Sequence, residues 1–308
     1  MIVVLAGGVG AARFLSGLVQ IMDPKDLFIV VNTGDDIEFF GLKISPDLDI
    51  IMYTLANIVN ERGWGRNDES FNFLSALKDY DYELWFNLGD KDLATHVIRT
   101  DLMNQGKNLA EITQILSDRL KIKSIIIPMT NHPVPTMIQV PGKIMHFEEY
   151  MIKRGATDPV KKIIYKDIEK AIPTEGVIDA IEKSEGIIIC PSNPLVSINT
   201  ILSIKGIKEA ILNNNKKVIA ISPIIGSNPV KGPLDKLMRG LGMEVSAFSI
   251  ANYYKNLISA FIIDIQDESQ KEKIEKLGIE VFITDTLMKN MEIKKTLAEI
   301  ALKYIRSS

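Results

Sequence analysis

Met1-Ile-Val-Val-Leu-Ala6 leads into Gly7-Gly8-Val9-Gly10-Ala11-Ala12-Arg13, and Leu27-Phe-Ile-Val-Val31 ends in Asn32-Thr33-Gly34-Asp35-Asp36. Both apolar runs lack alternation, as strands do when a parallel sheet buries both of their faces. The stretch therefore reads as strand, glycine turn, helix, strand and acidic loop. That is the opening of a nucleotide-binding α/β sheet, in which glycines let backbone N–H groups and a helix N-terminus approach phosphate oxygens.

The dinucleotide fingerprint carries glycines at its first, third and sixth places, with an acid further along for a ribose hydroxyl. Gly8 and Gly10 fit, but Arg13 holds the sixth place. A guanidinium in the first turn can donate a fork of hydrogen bonds to phosphate, which favours a phosphate-rich ligand and leaves a nicotinamide dinucleotide open. Taken alone, the turn also reads as tight strand-to-helix packing beside a solvated arginine. No G-x-x-x-x-G-K-[ST] motif is present, which argues against a P-loop nucleotidase.

The 308 residues carry 36 Lys and Arg against 39 Asp and Glu, a net charge of -3. That length buries a large core as one α/β domain or two smaller ones, and the balance offers no basic stripe for nucleic acid. Cys190 is the only cysteine, so internal disulfides and thiolate metal clusters are excluded and a reducing cytoplasm fits. His96, His132 and His146 do not fall at zinc-ligand spacing, so a metal here is expected to be oxygen-ligated Mg²⁺. The first apolar run is too short for a signal peptide and no later stretch approaches a membrane span. A soluble cytoplasmic protein is expected.

Pro46 starts a helix through Val59, with Asp47 and Asp49 at its positive end, and Arg62-Gly-Trp-Gly65 is a loop. Further helices are expected over Asn67–Lys78 and from Leu93 to about Leu120 with a break near Gly106, and a strand or extended approach over Tyr82–Phe86. A strand over Ile122–Pro128 precedes an antiparallel pair, Val134–Val140 and Lys143–Phe147, joined by Pro141-Gly142, and Phe147–Lys153 is helical. The charged residues 155–173 give no clear assignment. Strands at Gly186–Cys190, Lys217–Ser222, Ile258–Asp264 and Ile279–Thr284 alternate with helices, as in a parallel sheet. The expected architecture is a single Rossmann-like α/β domain over 1–308, a mainly parallel sheet with helices on both faces and a largely helical insertion at 42–120.

Chemistry-bearing residues gather where strands end. Asp35, Asp36, Asp47 and Asp49 would repel one another unless a cation offsets them, and Mg²⁺ between carboxylates and phosphates does so; the bland reading is helix caps and turn acids. Ser192, Asn193 and Ser197 form a hydroxyl and amide loop ahead of a helix, and Ser222 with Lys231 repeats the idea on the next strand, so these loops can surround one nucleotide with the glycine turn. Asp92, His96 and Arg99 share a helix face near Trp85 and Asp90.

These residues resemble the 2-phospho-L-lactate transferases of coenzyme F-420 biosynthesis. The resemblance rests on Leu5–Phe14, Val31–Asp36, Ile44–Asp49, Arg62–Gly65, the long Trp85–His96 block with Arg99-Thr100, Pro191–Ile198, and Ser222–Gly226 with Lys231-Gly232, which span most of the chain in the family's order. Ala11 stands where many members carry glycine, and Thr130–Thr136 lacks an acid associated with that loop.

The resemblance implies transfer of a phospholactyl group, or its enolpyruvyl counterpart, from a guanosine diphosphate-linked donor to the hydroxyl of the deazaflavin FO. GMP is released and Mg²⁺ is required. It places the nucleotide against Gly8, Gly10, Arg13, Ser192, Asn193, Ser197, Ser222 and Lys231. Asp35 and Asp49 then hold Mg²⁺ and act catalytically, while Asp47, Trp85, Asp90, His96 and Arg99 lie on the acceptor side. A homodimer is compatible with it, and the choice of lactyl or enolpyruvyl donor stays open. The competing reading is a nucleotide- or nucleotide-sugar-binding regulatory protein similar to the gluconeogenesis-factor family. A dehydrogenase is disfavoured by Arg13 in the fingerprint.

Overall fold

Every residue of β1 (Ile2–Ala6) and β2 (Leu27–Val31) is buried, and the two strands run parallel with Ile2 opposite Leu27 and Ala6 opposite Val31. The computed structural model, which describes residues 1–60, 63, 65–226 and 228–307, connects them through α1 (Gly8–Leu18). Arg62 and Trp64 of the Arg62–Gly65 block lie outside the described residues. The chain continues through a hairpin of β3 (Ile37–Phe39) and β4 (Leu42–Ile44), then α2 (Pro46–Leu55), α3 (Asn72–Lys78), α4 (Asp90–Asn104), α5 (Leu109–Arg119) and β5 (Ile125–Pro128). Next come β6 (Thr136–Val140), β7 (Lys143–His146), β8 (Lys162–Tyr165), α6 (Val177–Lys183), β9 (Gly186–Ile189), α7 (Asn199–Leu202), α8 (Ile207–Asn213) and β10 (Lys217–Ile221). The short pair β11 (Ile224–Ile225) and β12 (Asn228–Pro229), α9 (Leu234–Gly240), α10 (Ala247–Tyr253), β13 (Ala260–Asp264), α11 (Lys271–Glu275), β14 (Glu280–Thr284) and α12 (Met291–Arg306) complete it.

Seven strands form one parallel sheet in the order β14-β13-β10-β9-β1-β2-β5. The chain moves outward from β1 to β5, then returns to the other side of β1 through β9. Strand order thus reverses between β1 and β9, which opens a crevice at their carboxyl ends. Ile2, Val4 and Ala6 face α1, α2, α5 and α12, while Val3 and Leu5 face the later helices and the antiparallel sheet β7-β6-β8. The parallel sheet with helices on both faces is the architecture expected from the apolar runs.

Between β4 and β5 the chain is helical, and a separate apolar cluster forms there from Ile44, Leu74, Phe86 and Leu88, with Phe39 and Trp85 packed against it. The expected break near Gly106 is real. Gly106 takes φ +89°, and Asn108 with Glu111 builds a reciprocal cap for α5 through bonds of 2.9 and 2.8 Å. Three local expectations change. Tyr82–Phe86 forms no strand, α3 begins at Asn72 rather than Asn67, and β8 emerges from the charged segment to join β6, with Thr136 opposite Tyr165. No helix among the described residues is long and apolar enough to cross a membrane.

Candidate active site at the reversal of strand order

A cavity of about 550 Å³ lies at the carboxyl ends of β1 and β9. Gly8, Gly10, Arg13, Asp35, Asp47, Ser192, Asn193, Ser197 and Lys231 all line it, so the loops read from sequence do converge. Ser222, Asp49, Trp85, Asp90, His96 and Arg99 do not. Ser222 turns its hydroxyl onto the Ile224 carbonyl at 3.0 Å, a local turn bond.

Gly8 takes φ +72°, which turns the chain from β1 into α1. Its N–H donates to Asp47 Oδ1 at 2.8 Å, and the Gly7 N–H donates to Ser192 Oγ at 3.1 Å. Part of the expected phosphate cradle is therefore already satisfied by the protein. Gly10 serves close packing, since a Cβ there would lie 2.2 Å from the Pro191 carbonyl oxygen. Ala11 is fully buried on the core side of α1 and does not line the cavity.

Asp47 and Asp49 stand in the first turn of α2 behind Pro46, but their carboxylates reach other elements. Asn32 Nδ2 donates to Asp47 Oδ2 at 2.9 Å, while its Oδ1 accepts the Gly34 N–H at 2.9 Å, which joins the β2 loop to α2 and α1. Asp35 is buried with its Oδ1 unpartnered among the described residues. Burial, followed by repulsion from Asp47 and Glu148, pushes its carboxyl well above the usual carboxylate range. Burial likewise raises Asp47 to about 6, opposed by its bonds to Asn32 and Gly8.

The cavity lining also carries cations, Arg13 and Lys231. A Cβ at Gly63 would lie 3.7 Å from Lys231 Nζ and 3.8 Å from Arg13 NH2, so both cationic ends lie near the same point of the chain. Burial, then repulsion from Arg13, lowers the Lys231 ammonium. One cavity is therefore lined by both acidic and basic groups.

Asp49, His96 and Arg99 form a buried group that does not line the cavity. Arg99 NH1 lies 3.0 Å from Asp49 Oδ2 and 3.2 Å from His96 Nδ1, and NH2 bonds Asp49 Oδ1. Tyr53 adds its hydroxyl at 2.6 Å from Asp92 Oδ1. Asp49, Asp92 and His96 bring ligand atoms within 4.8 Å of one another, a set able to hold a metal ion. Arg99 already supplies a positive charge there.

Trp85 and Asp90 organise the insertion. Trp85 packs edge-on against Phe39 and Phe86 at 5.2 and 5.8 Å. Asp90 accepts from Ser70 Oγ at 2.7 Å and from the Asn72 and Phe73 N–H groups at 2.9 and 3.0 Å, which fixes the start of α3. The Ser70 hydroxyl and these amides lower Asp90 to about 2. From this part of the insertion, Phe86 and Asn87 reach the cavity instead.

The sequence reading missed Glu148, Met151 and Ile152, which line the cavity from the exit of β7. Their signal was a pair of acids, Glu148 and Glu149, inside the otherwise largely apolar stretch Ile144–Ile152. Burial raises Glu148 to about 8, with Asp47 adding repulsion.

The profile of the family described as 2-phospho-L-lactate transferase CofD matches residues 2–301. The chain belongs to that family. It is 39% identical over 303 residues to a 2-phospho-L-lactate transferase of Methanosarcina mazei, covering 98% of this chain and 99% of the relative. A Streptomyces coelicolor relative named phosphoenolpyruvate transferase is 40% identical over 308 residues, covering 98% and 97%. A solved structure from Bacillus halodurans, a member of the UPF0052 family, superimposes with a TM-score of 0.68 at 16% identity over 98% of each chain, a likeness of fold. Family membership makes the chain an enzyme, a transferase of the 2-phospho-L-lactate type that belongs to coenzyme F-420 biosynthesis.

Proposed function

We propose that the enzyme transfers a 2-phospholactyl or enolpyruvyl-phosphate group from a guanosine diphosphate-linked donor to the hydroxyl of the deazaflavin FO, with release of GMP. The mixed-charge cavity carries this reading. Arg13 and Lys231 line the space and offer the positive charge a diphosphate needs, and Asp35 and Asp47 line the same space. The acceptor hydroxyl attacks the phosphorus bearing the lactyl or enolpyruvyl group, the new P–O bond replaces the bond to the GMP phosphate, and the hydroxyl proton leaves through the acidic groups. The basic groups stabilise the departing GMP.

The unpartnered Asp35 Oδ1 and the neighbouring carboxylates are hard oxygen donors of the kind Mg²⁺ takes. When bound, Mg²⁺ neutralises phosphate charge in such sites. We assign Asp35 as the ligand facing the cavity. Asp49 belongs to the ligand-competent group with Asp92 and His96, and it must exchange an Arg99 bond before it can coordinate directly. Incubation with FO, Mg²⁺ and either donor should yield the corresponding phosphorylated deazaflavin by mass spectrometry. No product from folded protein with either donor sinks the proposal.

A further inference from the structure

Glu148 is 3% exposed, yet it lines the cavity. No described group hydrogen-bonds or ion-pairs with its carboxyl oxygens, so a buried acid is directed at the space a ligand would fill. Burying an acid without a partner is costly, and such groups are kept where a ligand completes their bonding. Phe86, Met151 and Ile152 line the same cavity and offer apolar surface beside it.

The position of Glu148 is fixed by a histidine. The Glu148 N–H donates to His146 Nδ1 at 3.1 Å, which leaves Nε2 as the protonated nitrogen, donating to the Asp36 carbonyl at 3.1 Å. One neutral ring therefore ties the Glu148 backbone to the loop that carries Asp35. Asp35 and Glu148 are held in register although they come from different sheets.

We propose that Glu148 is an acceptor-recognition residue. Its carboxyl bonds hydroxyl or ring N–H donors of the acceptor while the Phe86, Met151 and Ile152 surface covers the flat apolar part, and His146 acts as a positioning residue. This rests on the deazaflavin reading above. It moves acceptor recognition from Trp85, Asp90, His96 and Arg99, which do not line the cavity, to the exit of β7.

Calorimetric titration with FO, and separately with guanosine diphosphate, tests this without turnover. Glu148→Leu should weaken FO binding by about tenfold or more while guanosine diphosphate binding stays within about twofold. Glu148→Gln, whose amide both donates and accepts, should keep most of the FO affinity. His146→Leu should weaken FO binding in the wild-type background, His146→Gln should restore much of it, and neither should add to the loss in Glu148→Leu. Unchanged FO affinity in Glu148→Leu overturns the inference alone. Wild-type protein that binds guanosine diphosphate but no FO overturns the transferase reading, and this inference with it.

Discussion

Arg99 on α4 and Asp49 on α2 form a buried two-bond ion pair, with NH1 3.0 Å from Oδ2 and NH2 bonded to Oδ1. The pair clamps α2, whose neighbouring Asp47 reaches into the cavity. Removing one partner leaves an uncompensated charge in the interior, so Asp49→Asn should destabilise the protein by about 3–5 kcal/mol in urea unfolding. A loss below about 1 kcal/mol would show that the pair does not hold the helices together.

Arg13 should matter to the donor and not to the fold. Arg13→Ala removes a forked donor from the cavity lining, so affinity for guanosine diphosphate should fall about tenfold and its salt dependence should flatten. Unchanged affinity by titration at low and high salt would return Arg13 to a solvated role.

Gly10 should resist even the smallest side chain. A Cβ would lie 2.2 Å from the Pro191 oxygen, and that neighbour is backbone just after β9, so α1 and the loop after β9 would have to separate where the cavity opens. Gly10→Ala should cost about 1–3 kcal/mol and weaken nucleotide binding. Wild-type thermal stability with wild-type nucleotide affinity would contradict that packing role.

Metal-free, ligand-free protein should lose stability as pH rises. Glu148 has a folded value of about 8 against an ordinary 4.5, so the folded state holds a proton that the unfolded chain releases across that window. The contribution is fully present below pH 4.5 and is lost as pH climbs towards about 8, and Asp47, raised from 3.8 to about 6, adds the same sign at lower pH. Glu148→Gln should flatten the upper part of the melting-temperature profile. A variant profile parallel to wild type would show that Glu148 is not the group titrating there.

The sheet was legible because its strands are continuous apolar runs, and burial on both faces leaves no other reading for Ile2–Ala6 or Leu27–Val31. The loops at strand ends were legible for the same reason, since a parallel sheet gathers them at one edge. His96 and Arg99 do share a helix face, as their spacing suggested, but they meet Asp49, expected beside Asp35 at the metal, in a buried group that does not line the cavity. Spacing cannot tell a ligand site from an ion pair that clamps two helices. Glu148 escaped notice because its place depends on His146 reaching back to Asp36. That is a long-range contact with no local pattern.

A crystal structure with FO and guanosine diphosphate bound together tests the central claim that one cavity brings donor and acceptor together. The diphosphate should lie against Arg13 and Lys231, and the deazaflavin hydroxyl should point at it from the Asp35, Asp47 and Glu148 side. FO bound outside this cavity, against the Trp85 or Asp90 side of the insertion, would contradict the account.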